Sequence, residues 1–154
     1  MSQPRHTARF APDHDRAHDA CGTGFVARAD GQRTHQVIEL ALTALARVAH
    51  RGAASTDLSG DGAGLLTQIP TRLFYREGYR LGLRLTHGQP FALAMLFLPP
   101  DVEGLRRASR VTEEVLTAAG FPLLGWREVP TEAAALGPTA RASAPVIRQL
   151  FLGR

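Results

Sequence analysis

Phe91-Ala92-Leu93-Ala94-Met95-Leu96-Phe97-Leu98 is apolar at every position and stops at Pro99-Pro100. A short, unbroken apolar run closed by prolines predicts a strand covered on both faces, hence central in a sheet. Asp101 then stands where a helix N-cap is needed. Beyond it Val102, Leu105, Ala108, Val115, Leu116 and Ala119 recur on one helical face until Gly120 and Pro122 end it. Further strands are predicted at Leu123 to Val129 and Val146 to Leu152.

Upstream, the spacing predicts a strand from Leu65 to Ile69 that Pro70 ends, then a short amphipathic piece around Leu73 to Tyr79. Thr34 reads as the N-cap of an earlier helix. Ile38, Leu42, Leu45 and Ala49 form its buried stripe, and it runs to about His50. A Gly-rich loop through Gly60, Gly62 and Gly64 follows that helix. Cys21 to Arg28 suits a short strand with Cys21, Thr23, Phe25 and Ala27 on one face, and Asp30-Gly31 supplies the turn after it. Residues 1–20 are polar, carry Pro4 and Pro12 and show no apolar periodicity, so they read as an irregular leader, with the organised domain at 21–154. Helices and strands thus follow one another without an internal repeat, and the fold class is α+β.

The bulk properties narrow the function. A chain of 154 residues, 44% hydrophobic and 21% charged, has the composition of one folded domain or part of one. Its formal net charge of +4 is spread without a basic run, which argues against nucleic acid as a partner. All 18 basic residues are Arg, and neither Lys nor Asn occurs. A nucleotide P-loop is therefore excluded, since its lysine does not exist here. Residues 1–20 lack the apolar stretch that a secretory signal requires, and no segment is long and apolar enough to span a bilayer. The single cysteine, Cys21, allows neither an internal disulfide nor a Cys-rich metal site, and a reducing, cytoplasmic setting is expected.

Cys21 is also the first candidate for chemistry. A lone cysteine is ordinarily a buried structural residue. This one opens the first predicted strand directly after the leader, where a nucleophile exposed by cleavage of the Ala20 to Cys21 bond would lie. Cleavage would give the same residue a free α-amine with a reference pKa of about 7.7 to 8.0, a general base beside the thiol. Gly22 leaves room for an approaching carbonyl. The other candidates are His50-Arg51-Gly52-Ala53, which alone reads as a basic helix end with a glycine C-cap, and Ser59-Gly60-Asp61-Gly62-Ala63-Gly64, which alone reads as a turn.

Taken in order, Cys21-Gly22-Thr23-Gly24-Phe25, His50-Arg51-Gly52-Ala53, the glycine loop leading to Gln68-Ile69-Pro70, Phe97-Leu98-Pro99 and Gly125-Trp126-Arg127-Glu128-Val129-Pro130 resemble the start of the glutamate synthase large chain over residues 19–154. The resemblance implies a class II glutamine amidotransferase domain with the N-terminal-nucleophile hydrolase fold, an αββα sandwich of which this chain is the front portion. By that resemblance Cys21 is the nucleophile on the side-chain amide of glutamine, forming a thioester that water hydrolyses. Arg51 and Gly52 match residues lining the pocket, Arg51 as electrostatic support and Gly52 as the point of close backbone approach. Asp61 matches a family loop without a catalytic role.

Departures from the family pattern matter equally. The family's oxyanion hole uses an Asn side chain, and this chain has no Asn. Oxyanion donors contribute about a hundredfold or more in rate, so this stretch alone is expected to be nearly inactive. The family's Arg and Asp that hold the glutamine α-carboxylate and α-amine fall after the position of Arg154, and the chain is expected to be truncated. Flavin mononucleotide and an iron-sulfur cluster belong to further domains in the family, so no cofactor is expected within this chain. The partners implied are glutamine, the remaining synthase domains and a small subunit.

Three other readings compete. Gly22-Thr23-Gly24-Phe25-Val26-Ala27 formally fits a dinucleotide fingerprint, but a polar leader stands where the preceding strand should be. His14, His18, Asp19 and Cys21 could gather a metal, although the segment lacks helical signals and a solvated tail explains it. A non-catalytic amidotransferase-like fragment, serving as a structural or interaction piece, is the alternative to the enzyme.

Overall fold

The computed structural model describes residues 22–48, 57, 59–60 and 62–153. Among them are four α-helices, α1 (His35–Arg47), α2 (Thr71–Leu81), α3 (Val102–Ala118) and α4 (Pro138–Ala142), and three strands, β1 (Ala92–Leu98), β2 (Leu123–Glu128) and β3 (Val146–Leu152). The strands form one antiparallel sheet in the order β1-β3-β2. The α+β class expected from the sequence is the class observed. A second sheet of the expected sandwich is not formed among the described residues.

β3 holds the centre of the sheet. Its residues Leu150 and Phe151 are fully buried, and Gln149 and Leu152 nearly so. Alternation along the strand sends Phe151 and Gln149 to one face and Leu150 and Arg148 to the other. On the first face lies α2. Its Phe74 meets Phe151 edge-on at 5.2 Å between ring centroids and Phe91 at 6.3 Å, geometries that suit the aromatic quadrupole. Beside them Arg127 donates to Gln149 Oε1 at 2.9 Å and approaches Glu77 of α2, so the buried amide oxygen has its partner. On the second face lies α3, whose Glu113 accepts from the indole N–H of Trp126.

The predicted centre is therefore displaced by one strand. β1 carries the purely apolar run, yet it occupies an edge, with Met95 half exposed and Phe97 67% exposed. Apolar content reports that a segment can be buried, while position in the sheet depends on which strands find hydrogen-bonding partners.

Helix ends follow local chemistry closely. The Asp101 carboxylate accepts from Gly104 N–H at 2.7 Å and starts α3 as expected. Gly82 ends α2 in the left-handed conformation, with Leu83 N–H returning to the Gly78 carbonyl at 2.9 Å. Thr34 occupies the N-cap position of α1, but its hydroxyl makes no capping bond.

Two helix faces differ from expectation. None of the residues of α1 is buried, and Leu42 of the predicted stripe is half exposed; Ala49 lies outside the described residues. In α3 the side toward the sheet includes Leu105, Ala108, Thr112, Glu113 and Leu116, whereas Val102 and Val115 are exposed. Thr112 and Glu113 are accepted there because each is hydrogen-bonded, to the Ala108 carbonyl and to Trp126. The predicted strands at 21–28 and 65–69 carry no ladder over their described residues, and Phe25 and Leu66 are almost wholly exposed. The piece predicted around Leu73 to Tyr79 is the interior of α2, and α4 was not predicted.

Candidate functional site

Cys21, His50, Arg51, Gly52 and Asp61 lie outside the described residues, as do His14, His18 and Asp19. The described residues give the framework on either side of them. Directly after Cys21 the chain continues from Gly22 without regular structure to a turn at Asp30-Gly31. Gly31 takes a positive φ of 67°, as the predicted turn requires, and its N–H returns to the Arg28 carbonyl. Arg28 pairs with the Asp30 carboxylate and holds that carboxyl below its ordinary range, helped by the Gln32 N–H. The pair is solvent-exposed and orders the turn without anchoring it to the core.

Upstream of Arg51 and Gly52 stands α1, ending at Arg47. Downstream, Asp57 and Ser59 clasp a segment far along the chain. Asp57 accepts from Ser59 N–H at 3.0 Å and from Thr139 N–H at 2.9 Å, and Ser59 Oγ accepts from Ala140 N–H at 3.1 Å. Thr139 and Ala140 open α4, so Asp57 and Ser59 satisfy N–H groups that the helix itself leaves unpaired. Gly137 makes this approach possible. A Cβ placed there would stand 2.5 Å from the Asp57 carbonyl oxygen and 2.7 Å from Ser59 N.

Asp57, Gly137 and Thr139 were not singled out from the sequence, and Ser59 entered only as the first residue of the glycine-rich motif read as a turn. A partial signal existed: an aspartate two positions before a serine is a local turn former, and Gly137-Pro138 is a common opening for a helix. That the two signals meet across the chain is not readable from either alone. The clasp ties residues 57 and 59 to the start of α4, and it supplies no reactive group itself.

Of the remaining histidines, His35 lies exposed 3.8 Å from Glu39, and the His87 ring lies 5.0 Å from that of Tyr75, tilted by 40°. Among the described residues, no three of His, Cys, Asp and Glu gather as a metal cage, and no helix is long and apolar enough to cross a membrane.

A family model described as glutamine amidotransferases class-II matches residues 21–154. Ferredoxin-dependent glutamate synthase 2, chloroplastic, of Arabidopsis thaliana is 37% identical over 134 residues, which cover 86% of this chain and 8% of that protein. The ferredoxin-dependent glutamate synthase of Cyanidium caldarium is 40% identical over 135 residues, 87% of this chain and 9% of that protein. The glutamate synthase [NADPH] large chain of Bacillus subtilis (strain 168) is 32% identical over 151 residues, 97% of this chain and 10% of that protein. This chain thus spans about a tenth of the length of the curated relatives it matches.

Proposed function

Because the chain belongs to the class-II glutamine amidotransferase family, we propose that it forms the front of the glutamine-hydrolysing domain of a glutamate synthase. The observation that carries this reading is that the family match begins on Cys21, the one cysteine of the chain. Removal of residues 1–20 would place thiol and α-amine on one residue. The thiolate attacks the side-chain amide carbon of glutamine, and the amine relays a proton to the departing ammonia. Water then hydrolyses the γ-glutamyl thioester, releasing glutamate and restoring the thiol. Arg51 supports the pocket electrostatically, and Gly52 lets the backbone approach the substrate. Glutamine is the substrate, and the remaining synthase domains, with a small subunit, are the partners that consume the ammonia. Flavin mononucleotide and an iron-sulfur cluster would reside in those domains. The setting is cytoplasmic.

The oxyanion donor that the family draws from an asparagine is not supplied by residues 1–154, which contain no Asn. The 154-residue chain alone should therefore turn glutamine over slowly, and covalent labelling is a better test than turnover. Intact mass and N-terminal sequencing of the active enzyme are expected to show Cys21 as the first residue. A glutamine-like electrophile should add once, at Cys21, and Cys21→Ser should abolish the adduct. An active preparation that retains Met1 or Ser2 would overturn the proposal.

A further inference from the structure

On the α3 side of the sheet, arginines outnumber the carboxylates that line one cavity. Arg148 projects from β3 with its guanidinium carbon 4.9 Å from the centre of the Trp126 ring. Its Nε is shut off from solvent and meets no acceptor among the described residues. The hydroxyl of Ser109, on the facing side of α3, is likewise buried and unpartnered there. Both residues line a cavity of about 400 Å³ together with Arg106, Arg110 and Glu113, and Val102 and Leu105 give it an apolar side.

Among the residues lining the cavity there are three arginines to one carboxylate, and Glu128, the cross-strand neighbour of Arg148, makes no ion pair with it. Glu113 is already engaged through one oxygen by the Trp126 N–H. Arg110 has Glu114 at 3.8 Å on the exposed side of the helix, a loose contact in water. Neither Arg106 nor Arg148 meets a carboxylate among the described residues. A half-buried guanidinium normally acquires an anion, because withdrawal from water is compensated only by charge-assisted hydrogen bonds. Stacking on Trp126 holds Arg148 in one orientation, so its donors are preorganised for a ligand.

We propose that this cavity binds a small oxyanion, a carboxylate or phosphate group. Arg148 and Arg106 are its principal donors, Ser109 Oγ is a further hydrogen-bonding group, and the Val102–Leu105 side takes a short apolar portion of the ligand. The proposal rests on side chains distinct from Cys21, Arg51 and Gly52, so it stands or falls separately from the amidotransferase reading.

Trp126 is the one tryptophan of the chain, and it touches the key arginine, so its fluorescence reads the site directly. The chain is titrated with inorganic phosphate and, separately, with succinate, at constant ionic strength held with sodium chloride. A saturable change with at least one of the two anions is expected, and the anion that saturates identifies the ligand class. Arg106→Gln, on the exposed helix surface, should weaken binding about tenfold with unchanged far-UV circular dichroism. Arg148→Gln should weaken it further where that variant folds. A response that chloride reproduces, a signal that does not saturate with either anion, or full binding by Arg106→Gln would each overturn the proposal.

Discussion

The Asp57 carboxylate accepts the Thr139 N–H at 2.9 Å across 82 positions of sequence. With Ser59 it secures the start of α4 to residues 57 and 59. Replacing Asp57 by Ala removes the acceptor of the Thr139 N–H at the start of the helix. The expected loss is about 1–2 kcal/mol, the usual cost of deleting an N-terminal cap. Hydrogen exchange should show faster exchange at Thr139, and unchanged protection there would contradict the clasp.

Gly137→Ala should be at least as damaging as Asp57→Ala, for a steric reason. The added methyl would meet the Asp57 carbonyl oxygen and Ser59 N, both backbone atoms that cannot rotate away. Relief requires the two segments to part. A loss of about 1–3 kcal/mol is expected, the range for overpacking a close contact. A urea midpoint equal to that of the unsubstituted chain would show that the approach is not tight in solution.

Phe151 and Phe97 test which strand is central. Phe151 is fully buried against Phe74 and Phe91, and Phe97 is 67% exposed. Phe151→Ala should cost about 3–5 kcal/mol, enough to threaten the folded state of a small domain. Phe97→Ala should change stability by about 0.5 kcal/mol or less. Denaturant unfolding of the pair that gave equal losses would contradict the strand order.

Asp101→Ala should destabilise by about 1 kcal/mol through loss of the cap on Gly104 N–H, and Asp101→Asn should retain most of that stability. Thermal unfolding of the two variants side by side measures the difference.

A chain prepared to begin at Cys21 should react with a glutamine-like electrophile about tenfold or more faster than the chain carrying residues 1–20, because only the former has the α-amine as internal base. Mass spectrometry of the adduct over time makes the comparison, and equal rates would remove the amine from the chemistry.

Much of the local structure was legible from neighbouring residues. Asp101 with the apolar spacing after it marked α3, Asp30-Gly31 marked a turn, and the runs near 123–129 and 146–152 became β2 and β3. Cys21, Arg51 and Gly52 were reached through the order of short motifs, and the family match over 21–154 agrees with that resemblance at the level of the domain. The individual roles of these residues rest on the proposal and its tests.

What adjacent residues could not reveal was partnership. The wholly apolar run became the edge strand β1, while β3, interrupted by Arg148 and Gln149, became the centre by forming ladders with both β1 and β2, with Trp126 over Arg148 and Arg127 on Gln149. Residues 22–28 and 65–69 have strand-like patterns but no ladder among the described residues, and a strand exists only when a second one accepts its hydrogen bonds. The Asp57–Thr139 clasp depends in the same way on groups distant in the chain. Caps and turns are closed by atoms a few bonds apart and so can be read along the sequence; ladders, clasps and buried polar pairs depend on which distant surfaces meet.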